Sequence, residues 1–349
     1  MAIKLAINGF GRIGRQIVRA ILEQEAQGEL DKTEIDLVGV NDLADAKTLA
    51  HLLKYDSVYG LLPNEIESGN NFDKPFSGFF SVDGKKVGVL NETDPSKLPW
   101  KKLGVDIVIE STGRFVDKAS ASLHLTSGAR KVIVSAPVKE GDVGTYIVGV
   151  NEEEISKTDK IISNASCTTN CIAPVIKMIN DEFGVKKSLM TTVHAYTADQ
   201  TLVDAPHRDL RRGRGAAINV IPTTTGAAIA ATMALPELKN KFDGLSIRVP
   251  VPVGSISDIT MLTNREVTAE EVNQFLEKEC KSEKWQGIVD ATFEPLVSSD
   301  IVGNSHSAII DLSLTQVVDK DLLKVVAWYD NEWGYSNRMV DLILMWGKS

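Results

Sequence analysis

A glycine-rich segment near the start of the chain limits its fold more than any other feature. Residues 3–7 form a short apolar run, and Gly9, Gly11 and Gly14 follow it with the spacing G-x-G-x-x-G. Apolar residues at 13, 17 and 21 then indicate an amphipathic helix. In a strand, turn and helix of this kind, the glycines let the backbone turn tightly and approach a pyrophosphate at the helix N-terminus. The segment therefore predicts a dinucleotide-binding unit rather than an ordinary glycine turn.

An acidic residue follows the second apolar run, which spans residues 35–40. Asp42 lies where such units bind the hydroxyl groups of the adenosine ribose, and its charge would repel the 2′-phosphate of NADP. We therefore predict that NAD is the cofactor; an ordinary surface acid is the alternative interpretation. The polar segment 23–34 makes this unit longer than usual and is interpreted as an insertion between the helix and the strand.

Further apolar runs extend the predicted sheet. Residues 105–109, 131–134 and 146–150 are expected to be strands, separated by polar or glycine-bearing stretches as in a doubly wound sheet. Ser135 comes just past the end of one of these strands, where a cofactor lies in open parallel sheets, although simple turn chemistry explains a serine there equally well. Residues 54–98 have weaker periodicity and are expected to form hairpins or loops.

Cys167 stands at a second junction between a strand and a helix. Ile161 and Ile162 indicate the end of a buried strand, and apolar residues at 172, 175, 176, 179 and 183 share one face of a helix. The N-terminus of a helix favours a thiolate, so the pKa of this cysteine is expected to be lowered and the residue to act as a nucleophile. A small buried side chain is an equally good interpretation of its position alone. Cys171, one turn later, is interpreted as a packing residue.

A histidine that could activate this cysteine follows in the next predicted strand. Residues 190–196 alternate between apolar and polar types and include His194. A neutral imidazole can take the proton of a nearby thiol. The sequence cannot place His194 beside Cys167, and His207 in the following loop is a rival.

Basic and hydroxyl-bearing residues come next. The loop 197–215 carries arginines at 208, 211, 212 and 214, a pattern that suits phosphate or carboxylate binding, a solvated surface or a subunit contact. Residues 221–228 are a threonine-rich turn before an alanine-rich helix, which is typical of an anion site at a helix N-terminus. Arg248, in a strand predicted over residues 245–253, offers one more guanidinium group.

Composition excludes several classes of protein. A length of 349 residues favours two domains, and a net charge of −9 argues against a general nucleic-acid or acidic-membrane binder. Three cysteines do not make a disulfide framework and fit a reducing compartment. No apolar run approaches the length of a membrane span and no leader is recognisable, so we expect a cytoplasmic protein.

Three motifs together resemble one enzyme family. Ser163-Asn-Ala-Ser-Cys-Thr-Thr-Asn-Cys171, the opening Asn8-Gly-Phe-Gly-Arg-Ile-Gly14 and the closing Trp328-Tyr-Asp-Asn-Glu-Trp-Gly-Tyr-Ser336 are similar to phosphorylating glyceraldehyde-3-phosphate dehydrogenases. The resemblance implies oxidation of glyceraldehyde 3-phosphate with NAD and inorganic phosphate, through a hemithioacetal and a thioester on Cys167, with His194 as the general base. No metal is implied.

The resemblance also assigns binding residues. For the substrate phosphate it implies Thr197 and Arg248, and for inorganic phosphate Ser166, Thr168, Arg212, Thr225 and Gly226. For NAD it implies Gly9, Gly11, Arg12, Ile13, Gly14, Asp42, Ser135, Asn331 and Tyr335.

The family's architecture implies a Rossmann domain and an α+β catalytic domain with a mainly antiparallel sheet. The expected boundaries are residues 1–166 for the NAD-binding domain, completed by a C-terminal helix over 332–349 that Ser336 caps, and 167–331 for the catalytic domain. The arginine-rich loop is expected to cross to a neighbouring subunit in a homotetramer.

Two rival functions stay open at this point. An erythrose-4-phosphate dehydrogenase shares the fold and most motifs, and differs in whether phosphate or water accepts the acyl group. A binding protein without enzymatic activity, for instance for RNA, is disfavoured by the acidic composition and by the lack of aromatic residues among the arginines.

Overall fold

The computed structural model describes residues 2–138 and 140–348. Two compact units make up the chain. Unit 1 contains Met1–Tyr146, Glu154–Ala165 and Ser336–Ser349, and unit 2 contains Ile147–Glu153 and Ser166–Tyr335. Within the described ranges, none of the helices combines the length and the apolar character that crossing a membrane requires.

Unit 1 is built on a nine-stranded sheet with helices around it. Its elements are β1 (Ile3–Asn8), α1 (Arg12–Gln27), β2 (Ile35–Asn41), α2 (Ala46–Lys54), β3 (Tyr55–Asp56), β4 (Gly60–Leu61), β5 (Ile66–Gly69), β6 (Gly78–Val82), β7 (Lys85–Leu90), α3 (Trp100–Leu103), β8 (Ile107–Glu110), α4 (Lys118–Thr126), β9 (Lys131–Val134), β10 (Gly144–Thr145) and β11 (Ile161–Ser163). The strand order is β10-β11-β9-β8-β1-β2-β7-β6-β5. All neighbours from β10 to β7 pair in parallel, whereas β7, β6 and β5 pair antiparallel as hairpins. The predicted doubly wound sheet is confirmed.

Burial explains why the central strands read as almost continuous apolar runs. Every residue of β8 is buried. In β1, every residue except Lys4 is buried. A parallel sheet covered on both faces requires this pattern, because neither face meets water.

Two predictions, one for residues 146–150 and one for residues 23–34, are wrong. The predicted strand over residues 146–150 is not a strand: Val150 N–H bonds to Ile147 C=O at 3.0 Å, and Gly149 has φ +83°, so the chain turns there. Its apolar residues are buried without strand pairing. The polar segment 23–34 is not wholly a connection either, because α1 continues to Gln27 and ends at Gly28, whose φ of +77° favours glycine.

Unit 2 is built on an eight-stranded sheet. Its elements are α5 (Cys167–Phe183), β12 (Val185–Ala195), β13 (Ile221–Thr224), α6 (Ala227–Ala234), β14 (Phe242–Val249), β15 (Ser255–Thr263), α7 (Ala269–Glu279), β16 (Val289–Thr292), β17 (Ala308–Asp311), β18 (Gln316–Val318) and β19 (Leu322–Tyr329), followed by α8 (Trp333–Gly347). The order is β13-β14-β12-β15-β19-β17-β16, with β18 beside β19. Only β12 with β14 and β16 with β17 pair in parallel, so the sheet is mainly antiparallel, as predicted.

The last helix begins differently from the prediction. Ser336 is buried inside the first turn of α8 and does not cap it. Asp330 takes that role, because its Oδ1 accepts the N–H groups of Glu332 and Trp333 at 2.9 and 2.7 Å. The boundary between the two units falls within this helix, after Tyr335.

Candidate active site

Cys167 and His194 meet in unit 2. Cys167 is the first residue of α5, and His194 is the next-to-last residue of β12. The Cys167 Sγ atom lies 3.4 Å from the His194 Nε2 atom. The structure therefore brings together the predicted nucleophile and the predicted base, which are 27 residues apart in the sequence. The rival histidine, His207, instead bonds to Asp209 within its own loop.

Ser166 fixes the start of α5. Its backbone is extended and its Oγ accepts the N–H of Thr169 at 3.1 Å, which is the geometry of an N-cap. The apolar face predicted for α5 is buried, at positions 172, 175, 176, 179 and 183. Cys171 is fully buried and carries a free thiol, in agreement with a packing role. These contacts hold the first residue of the helix, Cys167, in a fixed place.

The hydrogen bonds of His194 determine which ring nitrogen carries the proton. Nδ1 lies only 2.6 Å from the carbonyl oxygen of Ala195, a distance that requires a proton between the two atoms. Arg248 Nη1 also lies 3.0 Å from this Nδ1. It does not need Nδ1 as an acceptor, because it donates to Ala195 O and Thr197 Oγ1. Nε2 is therefore unprotonated in the neutral ring, and it faces the sulfur as a base.

Burial and charge set the protonation of the pair. Burial, reinforced by the Arg248 guanidinium, lowers the pKa of His194 to about 3. Burial also raises the pKa of the Cys167 thiol, against the opposite effects of Arg248 and the N–H of Thr168. The predicted lowering of the thiol pKa is wrong for this resting site, because the loss of water around the sulfur outweighs the helix N-terminus and the guanidinium. The site therefore rests as a thiol beside a neutral imidazole.

Arg248 forms no direct ion pair with any carboxylate in the part of the chain that the structure describes. Its Nη1 donates to Ala195 O and Thr197 Oγ1 at 3.2 and 3.1 Å, and its Nε is buried without a hydrogen bond among the described residues. The nearest link to a carboxylate is indirect, because Thr197 Oγ1 donates to Asp199 at 2.9 Å. A largely buried guanidinium group that forms no direct ion pair is costly, so this position is suited to an external anion.

Arg212 is held by its own loop and by the neighbouring strand. It donates to Asp199 Oδ2 at 2.5 Å, to Thr223 Oγ1 at 2.9 Å and to the carbonyl of Thr224 at 3.2 Å. Asp199 thus links Arg212 to Thr197 and, through it, to Arg248.

The predicted threonine-rich turn is a strand, β13, followed by the start of α6. Thr225 Oγ1 accepts the N–H of Ala227 at 3.2 Å, and Gly226 precedes the first helical residue. A side chain added at Gly226 would meet open space, so the helix N-terminus is accessible there.

Tyr329 was missed by the sequence interpretation. Its hydroxyl group bonds to Thr168 Oγ1 at 2.9 Å and to Thr192 Oγ1 at 2.8 Å, and its ring packs edge to face on His194 at 5.9 Å between centroids. It therefore joins the residue after Cys167 to the strand that carries His194. The only signal in the sequence was its place in the closing motif, between Trp328 and Asp330.

The predicted dinucleotide residues of unit 1 fit a pyrophosphate. Gly9 has φ +93° and lies so close to Thr112 that a Cβ would approach its nitrogen to 2.6 Å. A Cβ on Gly14 would come within 2.4 Å of Gly9 O, whereas Gly11 faces open space. No side chain caps the first turn of α1. The glycines thus give a tight turn, a close helix and uncapped N–H groups, which is what a phosphate at a helix N-terminus requires.

A cavity of about 240 Å³ adjoins this turn, with Gly9, Gly11, Asp42 and Thr112 among its lining residues. Asp42 comes directly after β2, and its carboxylate accepts the N–H groups of Phe10 and Ala44 at 2.8 and 3.0 Å.

The other residues predicted for the cofactor lie in several places. In unit 1, Arg12 pairs with Asp56 at 2.5 Å, Ile13 follows it in α1, and Ser135 comes directly after β9. In unit 2, Asn331 Oδ1 accepts from Gly254 N and Ser255 Oγ at 3.2 and 2.9 Å, which leaves its amide N–H groups to donate. Tyr335 is buried.

Comparisons with known proteins identify the family of the chain. Residues 3–118 match the family model described as the NAD binding domain of glyceraldehyde 3-phosphate dehydrogenase, and residues 166–331 match its C-terminal domain. Glyceraldehyde-3-phosphate dehydrogenase 2 of Streptomyces avermitilis is 50% identical over 348 residues, which cover 99% of each chain. The glyceraldehyde-3-phosphate dehydrogenase of Mycolicibacterium smegmatis is 48% identical over 358 aligned positions, covering 100% of both chains. The predicted resemblance is confirmed: the chain belongs to the glyceraldehyde 3-phosphate dehydrogenase family.

Proposed function

We propose that this protein oxidises glyceraldehyde 3-phosphate with NAD and inorganic phosphate to 1,3-bisphosphoglycerate and NADH, the reaction expected for its family. The single observation that carries the proposal is the thiol of Cys167 at 3.4 Å from an unprotonated His194 Nε2, beside Arg248, which pairs directly with no carboxylate of residues 2–138 and 140–348. A nucleophile, a base and an anion site are what a phosphorylated aldehyde needs. No observation favours the erythrose-4-phosphate alternative.

Cys167 and His194 divide the chemistry between them. The sulfur attacks the aldehyde carbon while Nε2 takes the thiol proton and passes it to the aldehyde oxygen, so a hemithioacetal forms on Cys167 and His194 is neutral again. NAD, when bound, supplies the acceptor for the hydride that leaves the former aldehyde carbon. His194 accepts the hydroxyl proton of the hemithioacetal in the same step, which leaves a thioester. Inorganic phosphate then attacks the thioester carbon, and the thiolate leaves.

We assign two anion sites in unit 2. Thr197 and Arg248 hold the phosphate of the substrate, because they share a hydrogen bond and Arg248 has a free Nε. Inorganic phosphate is assigned to Ser166, Thr168, Arg212, Thr225 and Gly226. The accessible start of α6 at Gly226 supports the second assignment.

For NAD, the assigned residues are Gly9, Gly11, Arg12, Ile13, Gly14, Asp42 and Ser135 in unit 1, with Asn331 and Tyr335 in unit 2. The turn and the uncapped start of α1 support the pyrophosphate assignment. The donor groups left on Asn331 suit the carboxamide of the nicotinamide ring. In functional terms, we assign cofactor binding to residues 1–166 and 332–349 and catalysis to residues 167–331.

We further propose a cytoplasmic homotetramer. The arginine-rich loop and the segment after it expose Leu202, Leu210 and Ile218 by 79%, 85% and 83%. Large apolar side chains exposed on a surface segment suit a subunit contact. Three free cysteines suit a reducing compartment.

The proposed function predicts that steady NADH formation from glyceraldehyde 3-phosphate requires phosphate. Without phosphate, the hemithioacetal on Cys167 is still oxidised but the thioester accumulates, so a burst of about one NADH per active site should precede slow turnover. Absorbance of NADH in a stopped-flow instrument measures both phases. Arsenate should restore steady turnover, because it attacks the same thioester. Fast steady turnover without either anion would show that water is the acceptor and would contradict the proposal.

Replacing His194 by asparagine should slow alkylation of Cys167 by iodoacetamide about tenfold or more near neutral pH. Without the base, the reaction depends on ionisation of the thiol alone, whose pKa burial raises. The rate in the variant should therefore climb steeply through the alkaline range, whereas the wild-type rate varies less with pH. His207→Asn, in the loop, is the matched control and should behave as wild type. Identical pH profiles for the two variants would remove His194 from this role.

A further inference from the structure

Polar side chains end the three central strands of unit 1. Asn8, Asn41 and Glu110 are the last residues of β1, β2 and β8, and both Asn41 and Glu110 lie opposite Asn8 in the strand register. Their exposed fractions are 1%, 5% and 1%. Buried polar groups of this kind must satisfy each other, so the direction of every hydrogen bond among them can be worked out.

The backbone of Glu92 fixes the two amides. Its N–H donates to Asn41 Oδ1 and its carbonyl accepts from Asn41 Nδ2, both at 2.9 Å, so the Asn41 amide has one possible orientation. Asn41 Nδ2 also donates to Asn8 Oδ1 at 2.7 Å. Asn8 Nδ2 must therefore point the other way, where it donates to Glu110 Oε2 at 2.6 Å.

Trp100 fixes the tautomer of His124 in the same manner. The Trp100 Nε1–H group can only donate, and it lies 3.0 Å from His124 Nδ1, which must therefore be unprotonated. The ring proton is on Nε2, which donates to Glu110 Oε2 at 3.0 Å. His124 is thus neutral, and its contact with Glu110 is a hydrogen bond rather than an ion pair.

Glu110 receives donors at both of its oxygens. Besides Asn8 and His124 at Oε2, the N–H and hydroxyl groups of Thr112 donate to Oε1 at 2.8 and 2.5 Å. An ionised carboxylate has enough lone pairs on its two oxygens to accept all of these bonds. A glutamine at this position would set its own NH₂ group against a donor on whichever side it turned. On one side neither Asn8 nor His124 can reverse, and on the other the backbone N–H of Thr112 can only donate.

We propose that Glu110 is a positioning residue for the dinucleotide, a buried anion that holds the strand ends around the cofactor cavity. Each strand end leads directly into residues that line the 240 Å³ cavity: Gly9 after β1, Asp42 after β2, and Ser111 and Thr112 after β8. Gly9 packs against the Thr112 nitrogen with no room for a Cβ. A displaced Thr112 would therefore move the glycine turn, to which the proposed function assigns the pyrophosphate, and this inference rests on that assignment.

The test compares Glu110→Gln with Glu67→Gln, the same chemical change at an exposed position of β5. Glu110→Gln should raise the dissociation constant and the KM for NAD at least about tenfold, equivalent to ~1.4 kcal/mol, because one buried donor is left without an acceptor. The kcat at saturating NAD and the alkylation rate of Cys167 should stay within about twofold of wild type, because Glu110 lies outside the residues assigned to chemistry. Glu67→Gln should leave all four values unchanged.

The outcomes separate this inference from the proposed function. NAD affinity unchanged in a folded Glu110→Gln variant, or a fall in kcat with KM unchanged, would overturn the positioning role while leaving the enzyme assignment intact. Failure of the wild-type protein to bind NAD would overturn both. If the variant does not fold, neutron diffraction from wild-type crystals decides. It should show a proton on His124 Nε2 and none on Nδ1 or Glu110, and any other arrangement overturns the proposal.

Discussion

Replacing Cys167 by serine is expected to lower turnover by more than about 10⁴-fold while NAD still binds. A serine hydroxyl group has a far higher pKa than a thiol, and the neutral His194 beside it is too weak a base to ionise it at a useful rate. The kcat is measured from NADH absorbance, and NAD binding is measured by calorimetry. Loss of both properties together would indicate that the variant is misfolded rather than chemically inactive.

Cys171→Ser is the matched control for this substitution. Cys171 lies four residues further along α5, fully buried, with its Sγ 4.0 Å from the carbonyl of Ala327. Serine there exchanges a soft buried thiol for a hydroxyl, which costs some stability but removes no reacting atom. Near-complete inactivation of a folded Cys171→Ser variant would contradict the division of roles between the two cysteines.

The elements that carry the site could be predicted because local patterns determine them. The strand, glycine turn and helix at the N-terminus follow from apolar periodicity and from the spacing of the glycines. Glycine is required at position 14, for example, because the backbone there approaches Gly9 O too closely for a Cβ. The start of α5 at Cys167 follows from Ser166 as an N-cap and from one apolar face. The strand predicted over residues 146–150 is wrong because its apolar pattern reflects burial rather than strand pairing. Gly149 turns the backbone away from strand geometry.

The arrangement across the site could not be predicted because it depends on contacts between distant segments. The 3.4 Å separation of Cys167 from His194 is set by the packing of α5 on the sheet that contains β12, and no local pattern encodes it. Tyr329 joins Thr168 and Thr192 from a strand more than a hundred residues away. The pKa of the thiol was predicted in the wrong direction for a related reason, because burial is a property of the whole fold whereas a helix N-terminus is local.

The hydrogen bonds among the polar residues at the strand ends of unit 1 could not be predicted from the sequence either. The sequence has Asn8, Asn41 and Glu110 directly after apolar runs, which suggests only that strands end there. Their mutual bonds depend on the parallel register of β1, β2 and β8, and the direction of those bonds depends on Trp100 and the Glu92 backbone.

Replacing Arg248 by alanine is expected to reduce kcat/KM for glyceraldehyde 3-phosphate by about 30-fold to several thousandfold, the equivalent of ~2 to 5 kcal/mol for a lost charged contact. The guanidinium group has no acidic partner among the described residues, so its charge is left to the substrate phosphate. Unphosphorylated glyceraldehyde should lose far less. Steady-state kinetics with both aldehydes, at mildly alkaline pH, measure the difference. Arg265→Ala, which removes an exposed arginine paired with Glu271, is the control and should change neither value.

The same variant tests the electrostatics of the base. Arg248 lies 3.0 Å from His194 Nδ1, and with burial it lowers the pKa of that ring to about 3. A base acts only when unprotonated, so wild-type His194 can accept a proton down to strongly acidic pH. Without the guanidinium its pKa rises towards the ordinary value of ~6.5, and the acid limb of the Cys167 alkylation profile should move to higher pH. An equal loss for both aldehydes together with an unshifted acid limb would mean that Arg248 acts on neither the phosphate nor the base.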